Sequence, residues 1–191
     1  MQSEGREGSG PFRPMAPYWE ADAFGGLLAA LYRSQRMRRA VVEMSPESSY
    51  RRTVLLRFFA WCYRRLNEGR GVPSAVFSED FELRQTAAII DTAGTFTGRD
   101  ALTEVLAELH TAFEEIAFEP VDYLEIDPTQ VLFRVRFRAL GRGSGLRLDR
   151  KVGHLFQFSL QGNATGLDVF WEEADALEAA GLSRSSTPSS E

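Results

Sequence analysis

The stretch from Leu146 to Leu182 constrains the fold more than any other part of the chain. It predicts two antiparallel strands, a tight turn at residues 161–163 and a short closing helix. Side chains alternate between the two faces of a strand. We therefore expect six residues to share one face of this hairpin: His154, Phe156, Phe158, Leu167, Val169 and Trp171. Aromatic and branched residues around one histidine favour the concave wall of a pocket.

A second strand, Val131 to Leu140, alternates between apolar and charged residues. We expect its apolar side to join the pocket wall through three residues: Phe133, Val135 and Phe137. The opposite side carries a row of arginines: Arg134, Arg136 and Arg138. This pattern is typical of a sheet with one face in water. The row either binds an anion or a second copy of the chain, or it is an ordinary solvated face.

Helical spacing surrounds these strands. A capped start at residues 45–48 introduces a helix that runs to about Leu66, and Gly98-Arg99-Asp100 opens another that reaches Phe113. Between them, Asp80 to Thr86 alternates as a strand that contains Gln85. Helices followed by several antiparallel strands and a short helix predict an α+β domain.

Three regions are expected along the chain. Residues 1–44 form an N-terminal extension, partly disordered, with a possible helix from Trp19 and an arginine cluster. This arm is an amphipathic segment for a partner or an anionic surface, a solvated helix, or a segment lost when translation starts at Met44. Residues 45–182 form the domain, and we predict that they fold without the arm. Residues 183–191 form a disordered tail rich in Ser, Thr and Pro.

Composition excludes several classes of function. The net charge of −5 gives no reason to expect nucleic acid as a partner. No run approaches the roughly 18–20 apolar residues that span a bilayer. Cys62 is the single cysteine, which fits a cytoplasmic protein, and with two histidines it offers no metal-ligand spacing. Lys151 is the single lysine among many arginines, a bias that favours a bacterial source.

The chain resembles the SnoaL-like branch of the nuclear transport factor two-like superfamily from about Ser48 to Leu182. The resemblance rests on Gly98-Arg99-Asp100 before the second helix, Gly143-Ser144-Gly145 before the strand with His154, and the ending Glu172 to Leu182. It implies a cone-shaped, curved antiparallel sheet wrapped on helices, with a pocket at the open end. It also implies a homodimer and no cofactor. Relatives include polyketide cyclases, ketosteroid isomerases and limonene epoxide hydrolases.

The resemblance predicts the fold better than it predicts a reaction, because several catalytic positions of the relatives do not match here. The oxyanion tyrosine of the ketosteroid isomerases corresponds to Cys62, with Tyr63 adjacent. Their aspartate base corresponds to Gln85, and an amide is not a useful base. Their second acid corresponds to His154. Epoxide hydrolases use an Asp-Arg-Asp set, and no aspartate accompanies Arg134 and Arg136 on the strand that corresponds here.

Two hypotheses remain open for the function. In the first, the chain is a cofactor-independent isomerase, cyclase or dehydratase acting on a hydrophobic carbonyl compound. His154 would be the acid or base, with Tyr63 and Gln85 as polar partners. In the second, it is a non-catalytic module that binds a ligand or dimerises, and His154 only lines the cavity. In either case burial should lower the pKa of His154 and keep the ring neutral near pH 7.

Overall fold

The structure is a computed structural model that describes residues 12–15, 27, 30–45, 47–85 and 94–182. Within these residues a sheet of seven strands packs against helices. The strands are β1 (Arg13–Pro14), β2 (Phe77–Gln85), β3 (Gly94–Thr97), β4 (Phe113–Asp127), β5 (Gln130–Gly141), β6 (Arg147–Phe158) and β7 (Ala164–Phe170). The helices are α1 (Gln35–Glu43), α2 (Ser49–Asn67), α3 (Ala101–Ala112) and α4 (Glu173–Ala179), with a 3-10 turn at Ser74–Val76.

The strands lie in the order β1-β4-β5-β6-β7-β2-β3. The neighbouring pairs are antiparallel except β2 and β7, which run parallel. This one parallel pair arises because β2 precedes α3 and the long strands β4 to β6, and a parallel neighbour requires a long connection. The predicted α+β class is confirmed, with a mixed sheet in place of a wholly antiparallel one.

Helix α2 packs on one face of the sheet and forms the main core. The side chain of Ser48 accepts a hydrogen bond from the backbone N–H of Arg51, which caps the first turn of α2. Leu56 and Phe59 of α2 are buried against Phe133 and Val135 of β5. The spacing that predicted this helix therefore also defines the side of α2 that meets the sheet.

Arg51 fixes the start of α2 to its surroundings although only 1% of the residue is exposed. Its guanidinium donates to the carbonyl oxygens of Val41, at 3.0 Å, and Pro128, at 2.9 Å. It also pairs with the carboxylate of Glu125 at 2.5 Å. These three partners compensate the removal of the charge from water, which a buried charge requires.

Helix α3 is shorter than its apolar spacing predicts. It ends at Ala112, and Phe113 begins β4 instead of closing the helical stripe. Arg142 satisfies the carbonyl groups at this end: its backbone N–H donates to Ala112, and its guanidinium donates to the carbonyls of His110, Thr111 and Phe113. Free carbonyls at a helix end need such partners, and Arg142, in the turn between β5 and β6, supplies them where α3 ends.

The opposite face of the sheet is covered in part by α4. Ala176 packs there with Leu132, Leu155 and Phe170. A Cβ atom on Gly153 would lie 2.5 Å from the Cβ atom of Ala176, so the helix approaches the sheet too closely for any larger residue at position 153.

The predicted arginine row lies on this same outer face and is paired within the chain. Arg134 contacts Asp122 and Glu173, Arg136 contacts Asp149, and Arg138 contacts Glu119, all as ion pairs. The guanidinium of Arg134 also lies 4.1 Å from the ring centre of Phe12. Acids of the same chain therefore already contact these arginines. The homodimer predicted through this face stays a prediction.

Parts of the N-terminal extension contact the domain. Strand β1 pairs with β4 at Asp122 and Tyr123, and Met15 is fully buried. In α1, Val41 is 1% exposed. The boundary at residue 45 stays a prediction, while these contacts favour a folding unit that includes described residues before it. The disorder predicted for 183–191 and for most of 1–18 lies outside the described residues.

None of the helices in the described part of the chain is long and apolar enough to cross a bilayer.

Candidate ligand-binding pocket

A cavity of about 90 Å³ lies between the helices and the inner face of the sheet. Helices α2 and α3 form one side of it, and β2, β6 and β7 form the other. Its wall is almost wholly apolar, with Phe58, Leu106 and Val152 among the lining residues. A single water needs roughly 10–15 Å³ of such space, so this cavity has room for a small organic molecule.

Most of the residues predicted to line a pocket do so. The cavity wall includes eight predicted site residues and Leu167 of the same hairpin face: Tyr63, Gln85, Phe137, His154, Phe156, Phe158, Val169 and Trp171. On the hairpin the alternation works as expected, because β6 and β7 pair in the register His154 to Val169 and Phe156 to Leu167. Side chains in register project to the same face of a sheet.

Phe133 and Val135 were predicted to line the pocket, and the structure places them elsewhere. Both are fully buried in the core beneath α2 and are not part of the cavity wall. Ring centroids place Phe133 4.5 Å from Phe59 and 6.1 Å from Tyr63, so aromatic residues of α2 cover it. Alternation chose the correct face of β5, but α2 occupies the part of that face where these two residues lie.

His154 and Tyr63 form a hydrogen-bonded pair in the wall. The Tyr63 hydroxyl lies 2.9 Å from Nδ1 of His154, and the two rings are nearly parallel, 25° apart. Both side chains are buried, with 2% of Tyr63 and 6% of His154 exposed. When the hydroxyl donates to Nδ1, the remaining proton of a neutral imidazole sits on Nε2, because the partner of one ring nitrogen decides the tautomer.

Burial keeps this pair uncharged at neutral pH. Removal from water lowers the pKa of His154 from 6.5 to about 4. The same cause raises the pKa of Tyr63 well above its usual value of 10. The predicted direction for His154 is confirmed. A ring with so low a pKa accepts a proton poorly near pH 7, whereas its N–H and the tyrosine hydroxyl remain good hydrogen-bond donors.

Trp171 supplies a further polar group in the cavity wall. Its indole Nε1 is buried and has no hydrogen-bond partner in the described part of the chain. The ring packs edge-on against Phe137 with centroids 5.4 Å apart. A buried N–H without a partner carries an energetic penalty that an acceptor would relieve. Gln85, at the end of β2, adds an amide to the wall.

Sequence reasoning did not nominate many residues of the wall, among them three from different parts of the chain. Tyr32 comes from the N-terminal segment, Gly162 from the turn between β6 and β7, and Cys62 from α2. Burial raises the pKa of the Cys62 thiol, so it stays protonated. Cys62 does follow the apolar spacing of α2, which was a usable signal. No local pattern indicates that Tyr32 reaches the cavity, because its contact is with a separate helix.

The described part of the wall carries no Asp, Glu, Arg or Lys side chain. Asp168 of β7 is not among the lining residues: it lies 2.7 Å from Arg84 and accepts a hydrogen bond from Gln157. No group of three or more His, Cys, Asp or Glu residues in the described ranges could hold a metal ion.

Comparisons by sequence find no match among protein-family models or curated proteins. Comparison of the fold with solved structures does find neighbours. An NTF2-like protein from Anabaena variabilis matches with a TM-score of 0.52 and 16% identity, covering 69% of this chain and 96% of the other. The chain has the NTF2-like fold.

Two further neighbours with this fold carry bound molecules. TerC, co-crystallised with polyporic acid, matches with a TM-score of 0.51 and 16% identity, over 63% of this chain and 92% of TerC. A protein from Catenulispora acidiphila with a ketosteroid isomerase-like fold, in complex with trimethylamine, matches with a TM-score of 0.48 and 15% identity, over 64% and 87%. The matches with TM-scores above 0.5 confirm the predicted resemblance at the level of the fold.

Proposed function

We propose that this chain is a small-molecule pocket protein of the SnoaL-like type that binds a neutral, hydrophobic carbonyl compound beside His154. One observation carries the proposal: an apolar cavity has few polar groups in its wall, and two of them, Tyr63 and His154, are joined by a hydrogen bond. Pockets with apolar walls and a few placed polar groups are typical of small-molecule sites. TerC, which shares the fold, was co-crystallised with an organic compound.

A neutral ligand follows from the chemistry of the wall. Transfer of a charged group from water into an apolar cavity is costly unless an opposite charge meets it. Within the described chain the lining residues offer no such charge, and the imidazole of His154 is neutral near pH 7. An uncharged compound therefore fits better than a carboxylate or an amine.

The hydrogen-bond donors of the wall favour a ligand that carries a carbonyl oxygen. With Tyr63 donating to Nδ1, His154 carries its proton on Nε2 and can donate it to a ligand. The indole N–H of Trp171 has no partner within the described residues and is a second donor in the same wall. A carbonyl oxygen accepts hydrogen bonds from N–H donors of this kind.

The catalytic version is a cofactor-independent isomerase, cyclase or dehydratase. In this reaction His154 would donate a hydrogen bond to a substrate oxygen on which negative charge develops, and Tyr63 would fix the tautomer of the ring. This version does not favour His154 as the base, because a pKa of about 4 leaves little basicity. The alternative, a non-catalytic module that binds a ligand or dimerises, is favoured by the lack of a carboxylate in the described wall.

Three matched probes test the proposal by thermal shift: 1-indanone, the hydrocarbon indane, and the anion indane-1-carboxylate. We expect the ketone to raise the melting temperature most, indane less, and the carboxylate not at all. A ligand at about 100 times its dissociation constant stabilises a protein by roughly 2.7 kcal/mol, which such melts resolve. Preference for the carboxylate, or no response to any probe, would contradict the proposal.

Exchange of the α-hydrogens of 1-indanone in heavy water, followed by NMR, separates the two versions. A catalytic site should accelerate exchange, and His154→Gln should reduce that acceleration about a hundredfold, a usual contribution of a positioned acid or base. The matched control is His110→Gln, a substitution of the exposed histidine. Binding without exchange would support the non-catalytic module. For dimerisation, light scattering at tens of micromolar decides between monomer and dimer.

A further inference from the structure

Tyr32 belongs to the N-terminal segment, yet it is part of the pocket. It is 4% exposed and lines the cavity. Its ring stacks flat on Phe58 of α2, with centroids 4.1 Å apart and planes 11° apart. This contact buries a large apolar surface and defines one boundary of the cavity.

Arg38 holds this segment to the far end of the hairpin. It is 5% exposed, and its Nε donates to the side-chain oxygen of Asn163 at 3.0 Å. Its Nη1 donates to the carbonyl oxygens of Tyr32 and Arg33 at 2.7 and 3.1 Å. A buried guanidinium needs such partners. The same side chain therefore fixes the backbone at Tyr32 and joins it to the turn between β6 and β7.

The turn between β6 and β7 contacts the backbone of α1 closely. Gly162 lines the cavity and has a φ of +77°, a conformation that favours glycine. A Cβ atom at Gly162 would lie 2.5 to 2.6 Å from backbone and Cβ atoms of Arg38. The main chain of α1 thus rests directly on the turn, at a distance that only glycine permits.

The other end of the segment is fixed to α2. Val41 is buried, and its carbonyl oxygen accepts a hydrogen bond from Nε of Arg51 at 3.0 Å. Residues 32–41 are therefore held at both ends by buried arginines, Arg38 at the turn and Arg51 at the helix. We name residues 32–41 the cavity roof.

We propose that the cavity roof closes the ligand pocket and that Tyr32 sets the size of the compound the pocket accepts. The Arg38–Asn163 hydrogen bond keeps the roof shut, and ligand exchange requires the roof to leave the turn. The part of this inference that concerns ligand size rests on the proposed function. The closure itself does not, because it can be measured without a ligand.

Cys62 measures closure. It is the single cysteine of the chain, lines the cavity and is buried, so a small neutral thiol reagent such as methyl methanethiosulfonate reaches it only when the pocket opens. We expect Arg38→Ala and Asn163→Ala to increase the labelling rate by about tenfold or more. The closed state has one hydrogen bond to a charged group that the open state lacks. Its loss should shift the equilibrium towards opening by about this factor.

Two controls separate roof opening from general instability. Arg39→Ala removes a neighbouring arginine that is exposed and pairs with Glu43, and it should leave labelling unchanged. Leu177→Ala loosens α4 on the opposite face, away from the cavity, and lowers overall stability. Equal labelling in Arg38→Ala and the wild type overturns the closure. The closure is also overturned if Leu177→Ala accelerates labelling as much as Arg38→Ala when the two variants have lost the same free energy of unfolding.

Ligand size is tested with three neutral ketones of increasing bulk: cyclohexanone, 1-indanone and 9-fluorenone. Tyr32→Ala should shift the ratio of affinities towards the larger ketones by about tenfold, because the removed ring is worth well over 1.4 kcal/mol of contact. Tyr50→Ala, a change at an exposed tyrosine, should leave the ratio unchanged. An unchanged ratio in folded Tyr32→Ala overturns the role of Tyr32.

The two assays fail in different ways. If no ketone binds the wild type, the proposed function fails together with the role of Tyr32 in ligand size. The labelling of Cys62 still decides whether the cavity roof closes the pocket. If ketones bind and labelling is insensitive to Arg38→Ala, the proposed function survives and the closure is rejected.

Discussion

The hydroxyl of Tyr63 and Nδ1 of His154 lie 2.9 Å apart although 91 positions separate the two residues in the chain. This contact joins α2 to β6 in the wall of an apolar cavity. When the hydroxyl donates, the proton of the neutral ring sits on Nε2, and that nitrogen is the donor that can face a ligand. The two residues that the sequence nominated for chemistry therefore act as one unit.

We predict that His154 makes stability depend on pH. The pKa of the ring is about 4 in the folded chain and 6.5 when exposed, so the unfolded chain binds the proton more readily between these values. Stability is unaffected above about pH 6.5 and falls as the pH drops towards 4. The full effect is on the order of 3 kcal/mol.

Urea unfolding of the wild type and His154→Gln checks this prediction. Between about pH 7.5 and about pH 5 the wild type should lose about 2 kcal/mol more than the variant. At neutral pH the two should differ by no more than about 1–2 kcal/mol. The control is His110→Gln, which should retain the wild-type dependence. Parallel pH profiles for the wild type and His154→Gln would show that His154 titrates normally.

Trp171→Phe removes the indole N–H and keeps an aromatic ring against Phe137. If that N–H donates to the ligand oxygen, affinity for 1-indanone should fall by a factor of roughly 2 to 10, the usual value of one hydrogen bond. Affinity for indane should not change, because indane has no acceptor. Titration calorimetry with both compounds measures the difference. The partly exposed Trp61→Phe is the control, and an equal loss for indane would assign Trp171 to packing alone.

Trp171→Ala should weaken binding of both compounds. Removal of the whole ring takes away contact area as well as the donor, and burial of apolar area contributes roughly 25 cal/mol per Å². The same titrations check this. We expect the loss with indane to distinguish this variant from Trp171→Phe, in which contact area is largely kept.

Deletion of residues 1–44 tests the domain boundary predicted from the sequence. We now expect the remaining chain to lose about 3 kcal/mol or more. Val41 and Tyr32 would leave the core, and Arg51 would lose the carbonyl of Val41 as an acceptor. Thermal unfolding of residues 45–191 beside the full chain measures the loss. A cooperative transition at the full-length temperature would instead support folding that is independent of the extension.

Arg51→Met should destabilise the fold by about 3–5 kcal/mol, the cost of leaving a paired buried charge alone. The stranded group is Glu125, whose side chain is 10% exposed. The double variant Arg51→Met with Glu125→Gln should recover part of that loss, because no uncompensated carboxylate remains. Chemical denaturation of the wild type, both single variants and the double variant gives the coupling energy. Additive losses would show that the pair contributes no interaction of its own.

The hairpin of β6 and β7 was predictable, because its information is local. Alternation with a period of two places His154, Phe156, Val169 and Trp171 on one face wherever the hairpin is built. The turn at Gly162 is local too, since its backbone conformation favours glycine. The α+β class followed from the order of such segments along the chain.

Which part of a face becomes cavity and which becomes core was decided by tertiary packing. Phe133 pairs directly with His154 in the sheet, yet aromatic residues of α2 cover Phe133 while His154 lines the cavity. The sequence pattern of β5 is the same in either case. The difference depends on where α2 crosses the sheet, and no period within β5 contains that information.

By itself the sequence determined which residues face inward and that one histidine is surrounded by aromatic residues. The tertiary structure alone decided that His154 meets Tyr63, that Tyr32 enters the cavity wall and that Arg38 meets Asn163, which is 125 positions away. Periodicity is a property of neighbouring residues, whereas a hydrogen bond between distant residues exists only after several elements have packed together. Burial, and with it the low pKa of His154, arises at that same stage.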